Sequence, residues 1–244
     1  MNAVERHARA TPGFEQRLQQ AVTLLRQAAD AHPGRIVQTT SLGVEGMVIT
    51  DLIARHGLAI PVATLDTGLL HPETLALLPA IRARWGIDVE VFHPHQQAVV
   101  QFVRHHGELA MRDSVALRQQ CCATRKLEPM ARLLAGRDAF ITGMRHEQSS
   151  ERQRVSAVET NDDGRTQYNP LVDWTWADVW HYVQRHDVPY NPLHDAFMPS
   201  IGCAPCTRAV AVGEPFRAGR WWWESADEAK ECGLHARHTA PLAA

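Results

Sequence analysis

The sequence predicts an α/β fold, a single domain built on a largely parallel sheet, with an irregular C-terminal segment and a mobile tail behind it. Three observations predict this. Short β-rich runs alternate with helical patterns, as strand–helix–strand units require. Several of those runs end in polar loops that carry a glycine, at Gly43, Gly68 and Gly143. From about residue 187 the pattern breaks, with Pro189, Pro192, Pro199, Pro205 and Pro215 interrupting regular structure.

The elements follow in order. Residues 14–31 carry Phe14, Leu18, Val22, Leu25 and Ala29 at helical spacing, which predicts an amphipathic helix. Residues 35–40 read as the first strand and roughly 45–56 as a helix. Residues 61–65 form the second strand, and Pro72 suits the first turn of the next helix. Residues 88–92 and 138–142 complete the predicted strands, with a helix near 123–135 between them. These runs divide the chain into an N-terminal helical segment (1–34), an α/β core (35–186) and a C-terminal segment with its tail (187–244).

Composition narrows the function classes. The 244 residues carry 25 Lys plus Arg against 27 Asp plus Glu, a net charge of -2. That balance argues against nucleic-acid binding through net charge, yet permits a local basic pocket for a small anion. The charged N-terminus does not resemble a signal peptide, and Asp51, Arg55 and Pro61 interrupt the most apolar region. No membrane association and a cytoplasmic location are therefore expected. In a reducing compartment, 5 cysteines suggest metal binding or catalysis rather than disulfides.

Three loops at the ends of predicted strands carry candidate site residues. Ser41-Leu42-Gly43 joins a strand to a helix, where free backbone N–H groups and the helix dipole favour an anion. An ordinary strand-to-helix turn reads the same residues equally well. Leu65-Asp66-Thr67-Gly68 follows the second strand, and ligands of open parallel sheets bind at such carboxyl ends. Asp66 suits a polar part of a nucleotide, or else the turn itself. After the fourth strand, Gly143 allows close approach, and Arg145 and Arg152 offer forked guanidinium groups for oxyanions. Pairing with Glu147 and Glu151 is the plainer alternative.

The cysteines give the sharpest signal. Cys121-Cys122 and Cys203-Ala204-Pro205-Cys206 form two pairs, and Cys232 stands apart. Adjacent cysteines suit a tetrahedral zinc ion poorly, whereas a cluster of several irons accepts neighbouring thiolates at different corners. One [4Fe-4S] cluster on Cys121, Cys122, Cys203 and Cys206 is the favoured reading over zinc. A redox pair at Cys203/Cys206 stays open. Lys126 follows Cys122 by four residues and shares its face if this stretch is helical. Cys232 lies between Lys230 and His235, cations that favour a thiolate, although a lone cysteine near a terminus is more often incidental.

Together these segments resemble the assimilatory adenylyl-sulfate/phosphoadenylyl-sulfate reductase family from about residue 35 to about residue 235. The matching pieces are Ser41-Leu42-Gly43, Leu65-Asp66-Thr67-Gly68 with His71-Pro72-Glu73-Thr74, Cys121-Cys122 with Lys126, and Gly143-x-Arg145 with Gln148-Ser149 and Arg152. Cys203-x-x-Cys206, Phe216-Arg217-x-Gly219-Arg220-Trp221 and Glu231-Cys232-Gly233-Leu234-His235 complete them. Two departures stand out: Gly46 where an acidic residue often follows the glutamate, and His146-Glu147 where a second arginine is common.

The resemblance implies a nucleotide α hydrolase (ATP pyrophosphatase)-like fold and a reaction. Cys232 would be the catalytic nucleophile, attacking adenosine 5′-phosphosulfate (APS) to give S-sulfocysteine and AMP. Reduced thioredoxin, or glutaredoxin, would then release sulfite, in assimilatory sulfate reduction and cysteine biosynthesis. The four paired cysteines imply a [4Fe-4S] cluster and APS as substrate. Ser41, Gly43, Leu65, Asp66, Lys126, Gly143, Arg145, Arg152, Arg217, Arg220 and His235 would bind substrate. A homo-oligomer is compatible with all of this. The competing readings are the same reaction on the 3′-phosphorylated nucleotide (PAPS), an ATP-dependent adenylyl or sulfur transferase, and a non-catalytic zinc module.

Overall fold

Buried apolar strands set the architecture. The computed structural model describes residues 1–224, and Cys232 and His235 lie outside them. Two N-terminal helices, α1 (Ala3–His7) and α2 (Phe14–Ala31), precede β1 (Ile36–Thr40). α2 buries Phe14, Val22 and Leu25, as its period requires, and adds Ala21 and Ala28 to the same face. Then follow α3 (Val44–Arg55), β2 (Val62–Leu65), α4 (Pro72–Leu75), α5 (Leu77–Trp85), β3 (Glu90–Phe92), α6 (Gln96–His106) and α7 (Val115–Cys122). A π-turn over Ala123–Leu127 connects α7 to α8 (Glu128–Leu134). β4 (Ala139–Ile141), β5 (Val158–Thr160), β6 (Thr166–Tyr168) and α9 (Trp176–His186) complete the order.

The strands form one six-stranded sheet in the order β3-β2-β1-β4-β6-β5. β1 pairs in parallel with β2 on one side and with β4 on the other, so Gln38 lies beside both Val62 and Ile141. β3 and β6 extend the parallel set. The β5–β6 hairpin adds an antiparallel edge strand that the alternating pattern does not predict. β5 is three residues long with both ends exposed, too short and too wet to leave an apolar period.

α3 is buried from Val44 through Ile53, because the sheet covers one side of it and α9 the other. Its Asp51 is satisfied inside: Tyr182 Oη donates at 2.7 Å, Trp85 Nε1 at 2.9 Å and Arg55 pairs with it. The sheet order reverses between β1 and β4, and in open α/β sheets that crevice is where ligands bind. Among the described residues no helix is long and apolar enough to cross a membrane.

Candidate active site

A cavity of about 210 Å³ opens at this reversal point. Its floor is made by the carboxyl ends of β1, β2 and β4, which contribute Thr40, Leu65 and Thr142. The first wall is the β1–α3 junction. Leu42 takes a left-handed backbone (φ 58°), a costly conformation for a branched side chain. The Thr40 hydroxyl holds it by accepting from Leu42 N–H at 2.9 Å. Gly46 brings the first turn of α3 hard against β1: a Cβ there would lie 2.1 Å from Thr40 Oγ1. Gly43 caps α3 without a side-chain bond, and Ser41, Gly43 and Gly46 line the cavity, the two glycines with backbone alone.

The second wall follows β4. Arg145 is fully buried and donates from Nε and Nη2 to Glu45 Oε1, each at 3.0 Å, and from Nη1 to the Trp174 carbonyl at 3.1 Å. Gln148 Nε2 donates to the same Glu45 oxygen at 3.0 Å and to the Gly143 carbonyl at 3.1 Å. Burial pushes the Glu45 carboxyl up. The Arg145 charge, its own backbone N–H and Gln148 outweigh that and hold it below the ordinary range. Arg145 therefore stands behind the cavity wall and fixes Glu45, which does line the cavity with Gly143, Gln148 and Arg152. Asp66 is likewise outside the lining. It accepts from Gly68 N–H at 2.9 Å and faces His93 at 3.5 Å, which is turn chemistry.

The third wall comes from the irregular segment. Gly202 lies under the Arg220 guanidinium: a Cβ at 202 would fall 2.2 Å from Nη2. Arg220 is buried, stacks 4.8 Å over the Trp221 ring and makes no ion pair among the described residues. Arg217 and Lys126 line the same cavity. With Arg152, these give the wall its cationic character. His194 also lines it. Burial pushes that imidazole down to about 4, with partial opposition from Glu45 and the nearby Met198 backbone, so the ring is neutral at physiological pH. Sequence reasoning passed over Glu45 and His194. Neither stands in a period or spacing that separates a cavity wall from an ordinary loop.

The four paired cysteines adjoin this cavity. Cys121 and Cys122 end α7, which starts on a Ser114 cap accepting from Leu117 N–H at 3.1 Å. Cys203 and Cys206 flank a single turn closed by Cys206 N–H on the Cys203 carbonyl at 2.9 Å. All four are buried, and Phe102, Met111 and Trp221 surround Cys121, Cys203 and Cys206. Cys203 reaches the cavity and lies 3.2 Å from Thr67 Oγ1. Burial raises the Cys121 thiol, with Arg125 opposing and Cys203 adding. Cys206 is pushed up to about 12, first by burial and then by Cys203, with Lys126 and Arg220 opposing and Cys122 adding. The thiols thus feel one another across the two pairs.

Among the described residues no group of three or more His, Cys, Asp or Glu side chains is gathered tightly enough for a single metal ion. A multi-iron cluster makes a different demand, because its thiolates attach to separate irons and stay apart. An all-sulfur, buried, water-poor set with Arg125, Lys126 and Arg220 in its field fits such an anionic group. Cys121, Cys203 and Cys206 share one buried cluster, with Cys122 close enough to act on Cys206, and Ser41, Gly43, Leu65, Lys126, Gly143, Arg152, Arg217 and Arg220 all line the adjoining cavity.

Comparison with known proteins places this geometry. Residues 35–209 match the phosphoadenosine phosphosulfate reductase domain. A relative from Allochromatium vinosum, named adenosine 5′-phosphosulfate reductase, is 51% identical over 207 residues, 84% of this chain and 80% of its own length. One from Burkholderia cepacia with the same name is 46% identical over 235 residues, 96% of this chain and 93% of its own. Among solved structures, a phosphoadenylyl-sulfate reductase from Candida auris in complex with phosphate is similar, with a TM-score of 0.64, 29% identity and coverage of 76% of this chain and 88% of that one. An FMN adenylyltransferase from Candida glabrata, bound to ATP, shares the fold at a TM-score of 0.56 and 13% identity, covering 80% of this chain and 65% of that one.

Proposed function

The chain belongs to the phosphoadenosine phosphosulfate reductase domain family, and from that premise we propose that it reduces adenosine 5′-phosphosulfate to sulfite and AMP in the cytoplasm, in assimilatory sulfate reduction. One observation carries this reading: the cation-lined cavity at the sheet reversal shares its Cys203 wall with the four buried cysteines.

The substrate carries negative charge on its sulfate and its phosphate. Lys126, Arg152, Arg217 and Arg220 meet that charge from the cavity wall, where low dielectric strengthens each contact. The backbone at Ser41, Gly43 and Gly143 and the end of β2 at Leu65 suit the nucleotide. Cys232 lies outside the described residues and is assigned the nucleophile's role. Its thiolate attacks the sulfur, the S–O bond to the phosphate breaks, and AMP leaves with that electron pair. A thiolate of reduced thioredoxin, or glutaredoxin, then attacks Cys232 and displaces sulfite. A second thiol on that reductant resolves the mixed disulfide and frees the Cys232 thiolate, so oxidation of the dithiol to a disulfide supplies the two electrons the reaction needs. His235 would stay near the nucleophile. Cys121, Cys122, Cys203 and Cys206 would hold a [4Fe-4S] cluster, which supplies a local field and a rigid anchor for Lys126.

The Candida auris neighbour is named for the 3′-phosphorylated nucleotide, which keeps that substrate as the second reading. Both are tested by intact mass after anaerobic incubation with APS, and separately with PAPS, without reductant. One added SO3 on Cys232 from APS alone is expected. Addition from PAPS alone would overturn the substrate assignment, and none from either would overturn the mechanism.

A further inference from the structure

We propose that His194 is a substrate-positioning residue that hydrogen-bonds a sugar hydroxyl of the bound nucleotide; this rests on the proposed function. His194 lines the cavity and is 4% exposed; neither ring nitrogen, Nδ1 or Nε2, meets a partner at full hydrogen-bond geometry, the Met198 backbone being the one polar group close enough to act on the ring. Buried polar atoms are rarely left so, because losing water without replacement is costly.

The ring is held in place from every other side. Its backbone N–H donates to the Asn191 carbonyl at 3.0 Å, and its carbonyl accepts from Arg6 Nη2 at 2.7 Å. Asn191 is itself tied to Thr74 Oγ1 at 2.9 Å. Trp180 and Trp176 pack across the imidazole at centroid distances of 5.4 and 6.0 Å. α1 therefore clamps the loop that presents this histidine, and the ring, with only the Met198 backbone close by, keeps hydrogen-bonding capacity to spare.

Their chemistry selects the partner. A neutral imidazole offers one donor and one acceptor. An anion meets the donor and is repelled by the acceptor's lone pair, and four cations better suited to anions line this cavity. A hydroxyl both donates and accepts, and the hydroxyls of an adenosine nucleotide are on its ribose. The nearby Glu45 charge also disfavours an anion on this side.

The test is calorimetric titration of the anaerobically purified protein with AMP, 2′-deoxy-AMP and 3′-deoxy-AMP. Wild type, His194→Phe and His194→Asn are compared, with circular dichroism to confirm folding. Wild type should bind AMP about fivefold more tightly than one of the deoxy analogues, the size of one neutral hydrogen bond. His194→Phe should lose that preference, binding AMP and the analogue alike, and His194→Asn, which keeps a donor and an acceptor, should regain part of it. An unchanged hydroxyl preference in His194→Phe, or equal binding of all three nucleotides by wild type, overturns the assignment alone. Wild type that binds no adenosine nucleotide overturns the proposed function and the assignment together.

Discussion

Replacing Arg145 by methionine separates a structural arginine from a substrate-binding one. The change removes a buried positive charge and its bonds to Glu45 Oε1 and the Trp174 carbonyl. Glu45 then keeps Gln148 but loses its counter-charge. Removing one partner of a buried pair costs about 3–5 kcal/mol. For a chain of this size that lowers the melting temperature by roughly 10 °C. The loss should depend on pH. In the wild type the Glu45 pKa lies below its unfolded value. That carboxylate therefore contributes stability fully present above the ordinary carboxylate range and lost as pH falls through its depressed value. In Arg145→Met burial dominates and raises the Glu45 pKa, so acid relieves the variant while it weakens the wild type. Urea unfolding midpoints should differ most near neutrality and converge below about pH 5. Adding Glu45→Gln to the variant should recover part of the loss. A penalty under about 1 kcal/mol, or one that does not change with pH, would refute the reasoning. So would lost AMP affinity at full stability, which is what a direct substrate contact predicts.

Gly46→Ala should cost about 1–3 kcal/mol through collision with Thr40 Oγ1, and adding Thr40→Ala should return only part of it in thermal melts, because that change also removes the acceptor of Leu42 N–H. Cys203→Ser should lower iron and acid-labile sulfide together with visible absorbance. Cys232→Ser should keep all three and the AMP affinity while losing the SO3 adduct; an adduct that survives would remove Cys232 from the chemistry. In cluster-free protein, Cys206, held up to about 12, should resist iodoacetamide at about pH 8 because little thiolate is present. Labelling as fast as in denaturant would contradict the buried environment.

Most of the parallel core was legible because those elements leave a period. Phe14, Val22 and Leu25 mark α2, and the runs at 35–40, 61–65 and 138–142 end where β1, β2 and β4 end, within a residue. The β5–β6 hairpin was not, since β5 is three residues with both ends exposed and β6 only three more, too short to show an apolar alternation. The helices at 96–106 and 115–122 were also missed. α6 buries Phe102 alone, and α7 packs around cysteines and Arg118 rather than an aliphatic stripe. In the site, residue type was readable and direction was not. Arg145 and Arg152 look alike in the sequence, yet one turns to Glu45 behind the wall and the other into the cavity. Asp66 turned to its own loop for the same reason: Gly68 N–H is two residues away.

The π-turn at Ala123–Leu127 acts as a phase shifter between two helices. A π-turn is in effect one extra residue threaded into an α-helix. It advances everything after it by about 100° relative to the cysteines before it. Arg125 reaches the Thr67 carbonyl at 2.8 Å and Lys126 reaches the cavity from within this widened turn. Deleting one residue between 123 and 127 would let the backbone relax into an unbroken helix, locally more regular and better bonded. The same deletion would rotate the cations away from the thiols and from the substrate pocket. Local regularity and function are opposed at this turn, so a search for stabilising changes here would select against the enzyme.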